Sequence, residues 1–360
     1  MGMKRRRAVG SRVTAEAGFT LLELMIGMAI AAIIVAAGFT ILTTTSKSLT
    51  VNEQTGDMQQ NVRLAMELLT RDIKRAGFGA PGVPIGACVN GIVPGDQNAT
   101  GADTGPDSVQ LLVPATKTTG TDRWTLTAAT GSGGISSVTL QPGAVTDMVN
   151  SGLVANTSYV SIGGAATVLV TGFATGASTL NVSIPAPLWF QKDDQVYLLQ
   201  CIRYRIVPAP DAANLCGGNA PCLTRGVSGV VSGPNAESPI AEGIEDLQLA
   251  YACDGCVTAI NKGIPDRSID DQNGSGSFDQ GDFVSNVPWN LAPLTPDKIQ
   301  LVQIAMVARQ TKTDQGFGDR TGASVGSAAM AVTSDHTLPA DANHRRRVMV
   351  KTVETRNVGL

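Results

Sequence analysis

Charge is scarce in this chain. Asp, Glu, Lys and Arg make up 16% of its 360 residues, and the net balance is only −3. A nucleic-acid surface needs a concentrated positive field, so bulk charge does not indicate one and nucleic acid is not an expected partner. Histidine is rarer still, with His336 and His344 alone. One Cys-x-x-Cys pair stands without a second, which leaves little from which to build a four-ligand zinc site. No Walker-type phosphate loop occurs, and no enzyme is expected. Aromatics amount to 4%. Helix formers other than Ala thin out in the middle of the chain, where Gly, Thr, Ser, Ala and Val dominate. That mixture suits short strands joined by many turns.

What the sequence does contain is concentrated at its start. Lys4, Arg5, Arg6, Arg7 and Arg12 precede Gly18-Phe19-Thr20-Leu21-Leu22-Glu23, and residues 19–42 carry no charge except Glu23. At ~1.5 Å per residue this run spans about 36 Å, enough to cross a bilayer. The basic head keeps the N-terminus cytoplasmic and sends the body outside. An ordinary secretory signal would have a small-x-small cleavage site after its apolar core, which Ala31-Ala32 or Ala36-Ala37 supply loosely, but such a core seldom carries a carboxylate. A lone carboxylate in a membrane-length segment costs several kcal/mol unless neutralised, which makes Glu23 a functional candidate. The α-amine released by a cut between Gly18 and Phe19 is its natural counter-charge.

This junction resembles the class III signal of type IV prepilins, in which a Gly precedes an aromatic residue and Glu stands fifth after the cut. The resemblance implies cleavage after Gly18 and N-methylation of Phe19 by a prepilin peptidase/methylase. It also implies assembly from an inner-membrane pool into a filament, with Glu23 pairing with a neighbouring subunit's Phe19 amine as a register device.

Helical spacing persists beyond the membrane-length run. Leu49, Val51, Met58, Val62, Ala65, Met66, Leu68, Leu69, Ile73 and Ala76 form an apolar stripe, with polar residues between them. Gly77 suits the position after a helix C-terminus, behind Lys74 and Arg75. One helix over 19–76 would be about 85 Å long, with a weak spot at Gly38 and Thr43-Thr44-Thr45, where local melting on assembly is one expectation. Strands are predicted over 108–113, 123–130, 136–140, 158–162, 167–170, 179–184, 195–199, 202–207, 243–252, 299–309 and 346–356. Residues 61–79, 240–251 and 345–357 resemble the helix end, a late strand and the closing strand of PilW-type minor pilins. Type II secretion minor pseudopilins share the signal and the helix.

Six cysteines, Cys88, Cys201, Cys216, Cys222, Cys253 and Cys256, form an even set suited to disulfides in a translocated body. They allow 15 pairings, of which Cys216–Cys222 and Cys253–Cys256 are the local choices; the latter spacing also fits a redox or zinc half-site. A second candidate site is the run from Asp271 to Asp282. Laid on the EF-hand loop, it offers Asp271, Asn273, Ser275, the Ser277 carbonyl, Asp279 and Asp282 as oxygen donors, with Gly276 at the sixth position. Ca2+ is thus the one cofactor candidate, bound weakly because Asp282 is shorter than the usual Glu and no flanking helices are evident. An Asp/Asn/Gly/Ser turn without an ion is the alternative. The Arg345-Arg346-Arg347 cluster reads as part of a strand's solvated face.

The expected fold is α+β and pilin-like: a long N-terminal helix packed on an antiparallel sheet, with a β-rich insertion. The expected division is a leader over 1–18, a transmembrane and assembly helix over 19–76, and an extracytoplasmic head over 77–360 with a sub-boundary near 187. The expected function is that of a minor pilin that primes or caps a type IV pilus. Its partners are other pilins, the prepilin peptidase, an inner-membrane assembly platform and the membrane. Residence in the inner membrane, with the body periplasmic, precedes display on the pilus. The alternatives are a minor pseudopilin of a type II secretion system and a membrane-anchored extracytoplasmic binding protein that never enters a filament.

Overall fold

The computed structural model of the chain describes residues 18–79, 84–95, 105–115, 123–208, 215–218, 220–228, 237–256, 264–285, 287–313, 330–331, 337–338 and 344–358. Two compact units emerge, Met1–Glu53 and Gln54–Leu360. A single helix, α1 (Leu21–Arg75), begins in the first and ends in the second. It runs unbroken through Gly38 and Thr43 to Thr45. There the hydroxyls of Thr40, Thr43, Thr44 and Thr50 donate to carbonyls three or four residues back, so the helix itself satisfies these four side chains.

In the first unit the large apolar residues of the helix from Leu21 to Leu49 are exposed. A helix that is apolar all round belongs in lipid or among other helices, and this one is long and apolar enough to cross a membrane.

The second unit is antiparallel β structure around the amphipathic part of α1. In chain order its elements are β1 (Ile92–Gly95), β2 (Ser108–Pro114), β3 (Trp124–Thr125), β4 (Ile135–Thr139), α2 (Ala144–Asn150), β5 (Tyr159–Ile162), β6 (Ala166–Leu169), β7 (Gly172–Ala174) and β8 (Thr179–Ile184). They continue with β9 (Gln195–Val207), β10 (Cys222–Ser228), β11 (Glu237–Glu242), β12 (Ile244–Cys253), β13 (Ile299–Arg309), β14 (Met330–Ala331), β15 (Thr337–Leu338) and β16 (Arg346–Glu354). One sheet follows the order β1-β2-β9-β10-β11, with β3 and the β5–β6 pair also attached to β9; a second is β12-β13-β16; a third is β4-β8-β7. The fold is α+β and pilin-like.

Met58, Val62, Ala65, Met66, Leu69 and Ile73, spaced at helical intervals, are buried against Leu111 of β2, Tyr204 of β9, Leu249 of β12 and Ile304 of β13. A separate core contains Trp124, Met148, Val160, Leu180 and Phe190 from the β3–β8 region. The thirteen-residue β9 passes through both cores. The two strands expected over 195–199 and 202–207 are therefore one. Its continuity holds because Cys201 is itself fully buried at the point where the alternation seemed to break.

Gly77 closes the helix with φ +78, a conformation that favours glycine. The spot is also crowded: a Cβ on Gly77 would collide with the Asn357 carbonyl, and one on Gly91 would lie 2.7 Å from the Gly77 Cα. The Gly77 amide donates to Leu112 at 2.8 Å. The Asn357 side chain donates to the Lys74 carbonyl at 3.3 Å. One orphan carbonyl of the last helical turn is thus satisfied from the far end of the chain, and the Gly77 amide that follows the helix is satisfied by the segment around β2.

Candidate functional site

Gly18 and Phe19 lie immediately before the helix, and Phe19 is 88% exposed. Thr20 is the N-cap. Its hydroxyl accepts from the Glu23 amide at 3.2 Å, while the Glu23 carboxylate accepts from both the Thr20 amide and the Thr20 hydroxyl at 3.0 Å. This is a reciprocal capping box, a role for Glu23 that the Thr-x-x-Glu spacing signals and that sequence reasoning passed over. The box aims the carboxylate backwards, at the first peptide group beyond the Gly18-Phe19 bond. From Leu21 until Lys47, Glu23 is the one charged residue.

A second carboxylate on the same helix has different surroundings. Asp72, 1% exposed, accepts from the Tyr204 hydroxyl at 2.8 Å, from Arg225 Nε at 3.1 Å and from Arg71 Nε at 3.3 Å. Three donors from α1, β9 and β10 thus converge on one buried acid, which fixes the helix on the sheet. Burial first, and then the adjacent Asp72 charge, push the Tyr204 hydroxyl well above its ordinary pKa of 10.0.

The six cysteines are paired as Cys88–Cys201, Cys216–Cys222 and Cys253–Cys256. The first joins the segment after α1 to the middle of β9. Of the basic tail cluster, Arg346 is 3% exposed in its side chain and donates to both Glu245 oxygens at 2.7 and 2.8 Å. That arginine ties the start of β16 to the start of β12 across β13 and is not free to contact a polyanion.

The Asp271–Asp282 loop folds on its own amides. Asp271 accepts from the backbone N–H groups of Gly274, Ser275 and Gly276. Asp282, fully buried, accepts from those of Gln272, Asn273 and Asp279. The Asn273 amide donates to Asp279 at 2.8 Å, and the Ser275 hydroxyl to the Ser277 carbonyl at 2.8 Å. The Gly281 amide, then Ser275 and Asn273, hold the Asp279 carboxyl below its ordinary pKa. The six expected donors do lie on one turn. Their oxygens are engaged with the loop's own N–H and O–H groups, which an ion would have to displace. Among the described residues, the one set of three metal-capable side chains drawn within 4.8 Å of each other is elsewhere: Cys253, Cys256 and Asp270. Asp270 carries no signal in the sequence.

Two segments of the chain match known families. Residues 14–40, which hold Gly18, Phe19 and Glu23, match the prokaryotic N-terminal methylation motif. Residues 212–357, from the approach to β10 through the end of β16, match the type IV pilus-assembly protein W family. These two matches support a PilW-like type IV pilin. No curated protein and no solved structure matches it. Both matched families are structural pilus components. The apolar helix and the methylation motif together mark this PilW-like protein as membrane-anchored. The β3–β8 region, with its separate core, lies outside both matched segments.

Proposed function

We propose that the protein is a minor pilin, cut between Gly18 and Phe19, methylated at Phe19 and incorporated into a type IV pilus, where it primes or caps assembly. The basic residues before Gly18 keep the N-terminus in the cytoplasm, so the head faces the periplasm before incorporation. The observation that carries this reading is the Glu23 carboxylate. It points back at the Thr20 amide from the start of an exposed apolar helix. In hydrocarbon it needs a cation, and cleavage creates one at Phe19, within reach of a neighbouring subunit's Glu23. The pair sets the axial step at which an incoming helix is accepted. Other pilins and the assembly platform are the partners this mechanism requires.

Peptide mass spectrometry on filaments sheared from the cell surface tests the proposal. The expected result is a peptide beginning at methylated Phe19. Processed chain confined to the envelope would instead favour a secretion pseudopilus. Chain beginning upstream of Gly18 and retained in the inner membrane would leave an anchored binding protein.

A further inference from the structure

We propose that Cys253, Cys256 and Asp270 form a three-ligand site for a thiophilic divalent cation of the zinc or cadmium kind whenever the Cys253–Cys256 disulfide is reduced. The inference stands apart from the pilus reading. Strand β12 ends at Cys253, and the Asp270 amide donates to the Cys253 carbonyl at 2.9 Å, drawing a distant loop alongside. Two sulfurs and a carboxylate oxygen consequently fall within 4.8 Å of one another. All three residues are buried, at 0%, 4% and 5% exposure. Burying the Asp270 carboxylate beside these two sulfurs is costly. A divalent cation between two thiolates has a use for that carboxylate, because thiolates with one oxygen ligand suit zinc better than calcium or magnesium.

The surrounding groups fit the same reading. Gln272 Nε2 donates to Cys253 Sγ at 3.4 Å, the kind of outer hydrogen bond that steadies a ligating sulfur. The Cys256 amide donates to Asp270 Oδ2 at 2.5 Å and fixes that carboxylate. Lys298 Nζ donates to the Gly255 carbonyl at 2.8 Å. Its ammonium offsets the single negative charge left when two thiolates and one carboxylate surround a divalent ion. Gly255, at φ +82, makes the turn between the cysteines; a Cβ there would stand 2.7 Å from the Pro265 nitrogen. Three protein ligands leave a fourth position for water.

The chemistry balances as follows. A dithiol supplies two electrons and two protons to the Cys253–Cys256 bond and becomes a disulfide itself. The cation then displaces the two thiol protons to solvent, so binding strengthens as pH rises. Disulfide and metal are alternative states of the same two sulfurs.

The test uses the full chain in detergent, reduced with dithiothreitol and freed of it without oxygen. It is then alkylated with iodoacetamide in the presence or absence of Zn2+, and each cysteine peptide is quantified. Zinc is expected to slow alkylation of Cys253 and Cys256 by about tenfold or more relative to Cys88, Cys201, Cys216 and Cys222. In Asp270→Asn, which keeps both thiols, the zinc concentration needed for protection should rise about 10–100-fold. A cadmium titration should show thiolate-to-metal charge-transfer absorbance at one equivalent. Equal protection of all six cysteines, no protection, or an unchanged Asp270→Asn response would overturn the proposal.

Discussion

Two carboxylates on one helix define the two kinds of work this chain does. Asp72 is enclosed by Tyr204, Arg225 and Arg71, all from its own chain, and is sealed from solvent. Glu23 has the hydrogen bonds of Thr20 and, among the described residues, no cation. The helix around Asp72 buries one stripe and shows a polar face to water; the helix around Glu23 exposes apolar side chains on every side. The first arrangement is complete within the subunit. The second requires lipid and then other helices. A carboxylate whose charge is met internally stabilises a fold, whereas one awaiting a partner is the kind we propose to set an assembly step.

The contrast can be broken first at the internally satisfied end. Asp72→Ala leaves Arg225 and the Tyr204 hydroxyl without their acceptor in a dry interface, and should cost the head about 3–5 kcal/mol in denaturant unfolding. A loss under about 1 kcal/mol would mean that water reaches the site and that the enclosure is not what fixes the helix. Tyr204→Phe removes one hydrogen bond to a charged acceptor and should cost about 1.5–3 kcal/mol by the same measurement.

Alkaline pH sharpens the point. Because the folded state raises the Tyr204 pKa, the neutral phenol's contribution is whole below the unfolded tyrosine value of ~10. It is lost as pH climbs from there through the raised folded value. Tyr251, pushed up by complete burial and then by Asp107, acts in the same direction. The melting temperature should fall above about pH 10, and fall less steeply in Tyr204→Phe.

The smallest effect is expected from calcium. A site binding at ~10⁻³ M would gain no more than about 1 kcal/mol from a few millimolar ion. A larger stabilisation, abolished by Asp279→Asn, would show that the Asp271–Asp282 loop rearranges around calcium and gives up its internal amide bonds.

Legibility followed the range of the signal. The helix, from the run after Phe19 to Gly77, was readable because each cue is local: apolar periodicity, terminal cations and a glycine. Strand β13 (Ile299–Arg309) and strand β8 (Thr179–Ile184) agree with the sequence reading to the residue, since both are β-branched runs between turn signals. Strands β10 and β11 were missed. Gly226 interrupts the first, and Pro239 sits in the second, where an edge strand tolerates it. The strand expected over 123–130 shrinks to Trp124–Thr125, because Leu126 has only an isolated bridge to Leu140. Helix α2 was missed as well: seven residues containing Val145, Thr146 and Val149 carry too little helical pattern.

The sites divide along the same line. Gly18, Phe19 and Glu23 announce themselves by spacing. The Asp72–Tyr204–Arg225 cluster spans separations of 132 and 153 residues, and nothing in the local sequence links its members. Asp270 beside Cys253 and Cys256 is the same kind of case, a ligand supplied by fold topology.

The most direct test of the distinction between the two carboxylates is Glu23→Gln. Glutamine keeps the capping box and the helix but removes the charge. The account predicts that the variant inserts into the membrane, is cut after Gly18 and unfolds with the wild-type head's stability, yet is absent from sheared filaments. Recovery in filaments at the wild-type level would contradict it, and would reduce Glu23 to a helix cap.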